Sequence, residues 1–146
     1  MPPRRAGALN MADTVVRVSL AEGVSMDDAV DSMKLRANVL NLKFVAHQPL
    51  YKELQAMGIE SSRMEIFQIC DARIAWEMIK HDKNFAAYLP CRIALLEDEK
   101  GQGRLVMMSL DFFIAAADLS PDVKEMAKSV RDNLTEVIQA GVNGEL

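Results

Sequence analysis

The sequence predicts an α+β fold of two layers, in which a largely antiparallel sheet of about five strands is covered by helices. Three observations carry this. Short apolar runs with a two-residue alternation recur along the 146 residues. Between them lie segments whose apolar residues fall three and four apart, opened by good capping residues. A charged, Gly-rich stretch from Glu97 to Gly103 joins two alternating runs directly, which is the signature of a hairpin and therefore of antiparallel pairing.

The elements follow in order. Residues 1–11 read as a flexible arm broken by Pro2, Pro3 and Gly7. Residues 12–146 read as a single domain with one hydrophobic core. Met11 suits an alternative start: without Arg4 and Arg5 the charge changes from 17 − 21 = −4 to 15 − 21 = −6. Thr14 to Leu20 alternates as a strand, with Val16, Val18 and Leu20 on one face. After the Glu22-Gly23 turn, Ser25 caps a helix reaching Leu40, striped by Met26, Val30, Met33, Ala37 and Leu40. Leu42 to Ala46 forms a second strand, ended by Pro49. Leu50 to Met57 is a short helix stopped by Gly58.

Met64 to Ile69 is the third strand. Asp71 caps the next helix, Ala72 to His81, which turns Ile74, Ala75, Met78 and Ile79 inward and leaves Trp76 on its flank. Pro90 to Leu96 and Arg104 to Leu110 are the fourth and fifth strands. Asp111 to Ala117 is a turn or brief helix. Ser120-Pro121 supplies the N-cap and first position of the last helix, whose stripe runs from Val123 to Ile138 and which Gly141 ends.

Composition narrows the function. Half the residues are hydrophobic and 26% are charged, a balance that suits a packed domain rather than a disordered chain. The net charge is negative and no basic, aromatic-interleaved face exists, which disfavours nucleic acid. No apolar stretch approaches the roughly 20 residues a bilayer requires, so no membrane partner is expected. The two arginines near the N-terminus lack an apolar run after them, so they do not make a secretory signal. The cytoplasm is the expected compartment, and there the two cysteines rest as thiols. The ten methionines are read as flexible core fillers.

From Cys70 to Cys91 the chain has a Cys at a strand end (Cys70), an Ala within an apolar helix (Ala75), an acidic residue at the helix end (Asp82), and Leu89-Pro90-Cys91 opening a strand. In these residues the segment resembles the domain-of-unknown-function family 302 (DUF302). Gly23 to Val30 is similar to the family's first-helix opening, and the likeness spans about residues 14–140. One departure stands out: the family's Asn-Pro after the first Cys is Asp71-Ala72 here. The resemblance implies a compact two-layer α+β fold, often a homodimer, with no settled activity. Some members are encoded near sulfur-oxidation and sulfurtransferase proteins, which implies a possible link to sulfur metabolism.

Sulfur is the one plainly reactive chemistry. Cys70 and Cys91 are small apolar residues at strand ends in the plainer reading. In the reactive one, Cys91 is a nucleophile that carries sulfur for a sulfurtransferase-type partner and Cys70 is the second thiol. Arg73 and Arg92 would lower a thiol pKa if they reached it, although strand alternation points Arg92 away from Cys91. A metal site would draw on Cys70, Cys91, His47 and His81, whose spacing is not that of a zinc finger. The same four with Met107 or Met108 would ligate haem, but no attachment motif exists. His47, before Pro49, is expected at the surface, and His81 at a helix C-terminus. Asp111 is read as a turn cap. The aromatics Phe67, Trp76, Phe85, Tyr88, Phe112 and Phe113 are read as core or dimer contacts. No triad order, phosphate loop or nucleophile elbow appears, so the sequence leans away from an enzyme. It favours a non-catalytic, homodimeric, cytoplasmic small-ligand-binding or accessory protein whose ligand and cofactor are unknown. A thiol sulfur carrier comes second, and a metal- or haem-binding module third.

Overall fold

The structure, a computed structural model, describes residues 7–145. Its strands are β1 (Val15–Ser19), β2 (Lys43–Gln48), β3 (Met64–Cys70), β4 (Cys91–Glu97) and β5 (Gly103–Met108). Its α-helices are α1 (Met26–Val39), α2 (Leu50–Ala56), α3 (Ala72–His81), α4 (Leu110–Ala116) and α5 (Pro121–Asn143). The five strands pair antiparallel throughout in the order β1-β5-β4-β3-β2. This is the α+β sheet with covering helices that the alternation predicts. Positions 1–6 of the expected arm lie outside the described residues. Just after them Asn10 accepts from the Ala12 N–H and starts a single 3-10 turn, Met11–Thr14.

Alternation places one face of the sheet in the core. Phe67 and Ile69 from β3, Ile93 and Leu95 from β4, and Leu105 and Met107 from β5 are buried there. Against them pack Ala29, Val30, Met33 and Ala37 of α1 and Leu134, Val137 and Ile138 of α5. The predicted caps are in place. Ser25 Oγ accepts from the Asp28 N–H at 3.0 Å, and Ser120 Oγ accepts from the Val123 N–H at 3.4 Å. Such a cap contributes about 1 kcal/mol. In the β4–β5 hairpin Asp98 accepts from the Gln102 and Lys100 N–H groups, both at 2.9 Å. These bonds, the Gln102 one foremost, hold its carboxyl below the usual carboxylate range.

Four expectations need correction. Gly141 does not end α5, which runs on to Asn143 and is capped by Gly144 in the left-handed region (φ 63°). Gly141 instead allows α5 to approach α1, because a Cβ there would lie 2.6 Å from Met33 Cγ. β5 stops at Met108 rather than Leu110, since Ser109 Oγ accepts from the Phe112 N–H and starts α4. Strand β2 continues through His47 to Gln48, past the expected end at Ala46. The buried residues form two clusters rather than one: Met78, Phe85, Val123 and Ala127 pack apart from the main core, between α3, α5 and a 3-10 turn at Lys83–Ala87. Phe113 belongs with this second group, tilted against Tyr88 at 5.1 Å, while Trp76 stays 58% exposed with Lys80 Nζ 3.6 Å above its ring.

Candidate functional site at the end of the sheet

The two cysteines are brought together. Strand β3 ends at Cys70 and β4 opens at Cys91, which lies opposite Ile69 across the antiparallel pair. Asp71 fixes the exit from β3: its Oδ1 accepts from the Arg73 and Ile74 N–H groups at 3.1 and 3.3 Å, starting α3 without a proline. The Leu89–Pro90 peptide at the entry to β4 is cis. Both thiols are free and half-buried.

Cys91 stands between two hollows. The smaller, about 20 Å³, is lined by both cysteines together with Leu42, Ile69, Ile74, Met78 and Val130. The larger, about 200 Å³, is lined by Tyr88, Pro90, Cys91, Arg92, Met107, Met108, Leu110 and Leu134. Among the described residues Arg92 makes no ion pair and is exposed. The larger hollow therefore combines an apolar floor, an aromatic wall and one uncompensated cation.

Burial, reinforced by the neighbouring Cys70, pushes the Cys91 thiol from the ordinary 9.0 up to about 11. The Cys70 thiol is also raised, by burial and then by the Asp71 carboxylate. Both shifts run opposite to the lowering that Arg73 or Arg92 would give, and opposite to what a nucleophilic thiolate needs.

The histidines do not join the cysteines. Neither borders either hollow. Among the described residues no three His, Cys, Asp or Glu side chains converge where a metal ion would sit. His81 closes α3 and is exposed.

His47 is exposed, as its position before Pro49 suggests, but its ring is engaged on one side. A bulge between Phe44 and Ala46 shifts the register of β2 and sets His47 opposite Phe67. The imidazole stacks on the Phe67 ring, with centroids 4.6 Å apart and planes 4° from parallel. His47 Nε2 lies 2.9 Å from Glu65 Oε1. Glu65, only 5% exposed, also accepts from Arg63 Nε at 2.7 Å, and Arg63 reaches Asp27 Oδ1 at 2.8 Å. For Arg63, burial opposes the charge, but the two carboxylates outweigh it and raise its pKa. A four-residue polar chain thus runs from the first turn of α1 through β3 to the edge strand β2. Part of the signal is visible in the sequence, because Glu65 shares the strand parity of Phe67 and Ile69 and so puts a carboxylate on the core face.

The model for the family described as Domain of unknown function DUF302 matches residues 16–141. The chain is also similar to the crystal structure of an uncharacterized conserved protein DUF302 from Bacillus stearothermophilus. The TM-score is 0.76 at 16% sequence identity, covering 87% of this chain and 97% of that one. At that identity the likeness speaks to the fold. No curated protein sequence matches the chain. Among the described residues no helix is long and apolar enough to cross a membrane.

Proposed function

The chain belongs to the DUF302 family, whose description assigns no activity, and we propose that it is a non-catalytic binding protein for a small organic anion with an apolar body. The observation that carries this reading is the 200 Å³ hollow at the end of the sheet, with Arg92 at its wall and hydrocarbon, thioether and aromatic groups elsewhere. Ligand sites commonly combine an apolar lining with a few polar groups that fix orientation. A hollow below the roughly 300–1,000 Å³ of most pockets for drug-sized molecules suits a correspondingly small ligand. In this reading Arg92 pairs with a carboxylate or similar group, Tyr88 and Met107 contact the apolar body, and Cys91 packs as a thiol.

We also propose that the protein is a cytoplasmic homodimer that serves sulfur metabolism. Two unbridged cysteines support the compartment. The DUF302 resemblance supports the dimer and the sulfur link.

Native mass spectrometry of freshly isolated protein, followed by titration with a panel of small aliphatic and aromatic carboxylates, tests the reading. The expected result is one carboxylate per chain, shifting the NMR signals of the Met107 and Met108 methyls. Arg92→Ala is expected to weaken it about 10- to 100-fold, the equivalent of losing one charge-assisted hydrogen bond of about 1.5–3 kcal/mol. If no carboxylate binds at millimolar concentration, or if Arg92→Ala binds as well as the native chain, the reading fails.

A further inference from the structure

The smaller hollow differs in kind from the larger one. Three sulfur-bearing side chains from three elements line it: Cys70 at the end of β3, Cys91 at the start of β4 and Met78 in α3. Its volume is about 20 Å³. One water occupies about 10–15 Å³ of such space and requires two to four polar partners. The space suffices for a single small particle, but the lining offers a water little. Asp71 also borders the hollow, and its Oδ1 accepts backbone N–H groups of α3. The rest of the lining is hydrocarbon and sulfur.

We propose that this hollow is a site for one soft monovalent metal ion, copper(I) being the biological ion of that class, held by Cys70, Cys91 and the thioether of Met78. Thiolate and thioether ligands select copper(I) over harder ions. On binding, both cysteine S–H bonds break, the two protons leave to solvent, and each sulfur's electron pair forms a bond to the metal; no electron is transferred. Zinc fits less well. Two thiolates would balance its charge, but it takes four N, O or S ligands; among the described residues no third His, Cys, Asp or Glu converges on the two cysteines, and the Asp71 carboxylate at the hollow's edge is engaged by α3 backbone N–H groups. The site goes beyond the anion-binding reading and occupies a different hollow, with Cys91 as the wall between the two.

Anaerobic titration of the reduced apoprotein with copper(I), in competition with a chromogenic copper(I) chelator, tests the proposal. The expected result is one equivalent of copper withdrawn per chain. Cys70→Ser or Cys91→Ser is expected to weaken binding at least 100-fold, and Met78→Leu about tenfold, with circular dichroism unchanged. Bound copper is also expected to protect both native thiols from maleimide labelling, read by intact mass, which keeps the proposal testable if a cysteine variant does not fold. The proposal is overturned if the chelator keeps all the copper, if the double Cys→Ser variant withdraws it equally well, or if copper leaves both thiols labelling at their apo rates. Retention of zinc in the same competition format, indifferent to Met78→Leu, overturns it as well.

Discussion

The acidity of Cys91 separates a packing thiol from a reacting one, and alkylation kinetics measure it directly. Burial beside Cys70 moves this thiol from 9.0 to about 11. At pH 8 a group of pKa 9.0 is about one-tenth thiolate, and a group of pKa 11 about one-thousandth, and only the thiolate attacks. Ionisation alone thus predicts that iodoacetamide modifies Cys91 about 100-fold more slowly in the folded protein than in the denatured chain. The rate should rise about tenfold per pH unit until it levels near pH 11. Peptide mass mapping after timed quenches resolves Cys91 from Cys70. Stability carries the same information. The fold favours the protonated thiol, so its contribution is complete below about pH 9 and is lost as pH rises toward 11, a fall of about 2–3 kcal/mol in unfolding free energy. Denaturant melts across that window should show this fall in the native chain and a reduced one in Cys91→Ser, where the Cys70 thiol, also raised by burial, remains. An alkylation rate that levels at or below pH 8 would refute the reasoning and favour a nucleophilic Cys91 with Cys70 as its partner thiol.

Two further outcomes are expected. Gly141→Ala should lower the melting temperature by about 2–5 °C: helix propensity favours alanine by about 1 kcal/mol, but a Cβ 2.6 Å from the fully buried Met33 side chain adds an overpacking cost of about 1–3 kcal/mol, and thermal melting that shows a stabilised variant would reverse the argument. Glu65→Ala should cost about 3 kcal/mol in chemical denaturation, because it removes the buried acceptor of Arg63 and His47, whereas His47→Ala should cost only about 1 kcal/mol; equal losses would mean that Glu65 does not organise the chain.

Much of the sheet and most helix starts are legible in the sequence because single residues dictate them. Ser25, Asp71 and Ser120 each place a hydroxyl or carboxylate where the first N–H groups of a helix need an acceptor, and the structure uses all three. Cys70 and Cys91 are legible as neighbours because strand, helix and strand follow in short order. The Glu65–His47 contact is harder to read. From Phe44 to His47 is three residues, which simple alternation assigns to opposite faces; only the bulge at Val45 returns His47 to the side of Phe67. Gly141 misleads for a related reason: a glycine near the end of an apolar stripe looks like a stop, and only the closeness of α1 reveals its steric role. The hollows are invisible in one dimension, since their walls come from three or four segments far apart in the chain.

The sheet order also dictates a sequence of events during synthesis. Strand β1 hydrogen-bonds to β5 alone, with Val18 opposite Leu105, so the first strand to leave the ribosome finds its partner only after four others have been made. A nascent chain halted before Gly103 holds β4 as an open edge with Ile93 and Leu95 unshielded, the kind of surface that recruits other chains. Closure by such distant pairing is intrinsically slow, and the β4 edge stays open until β5 arrives.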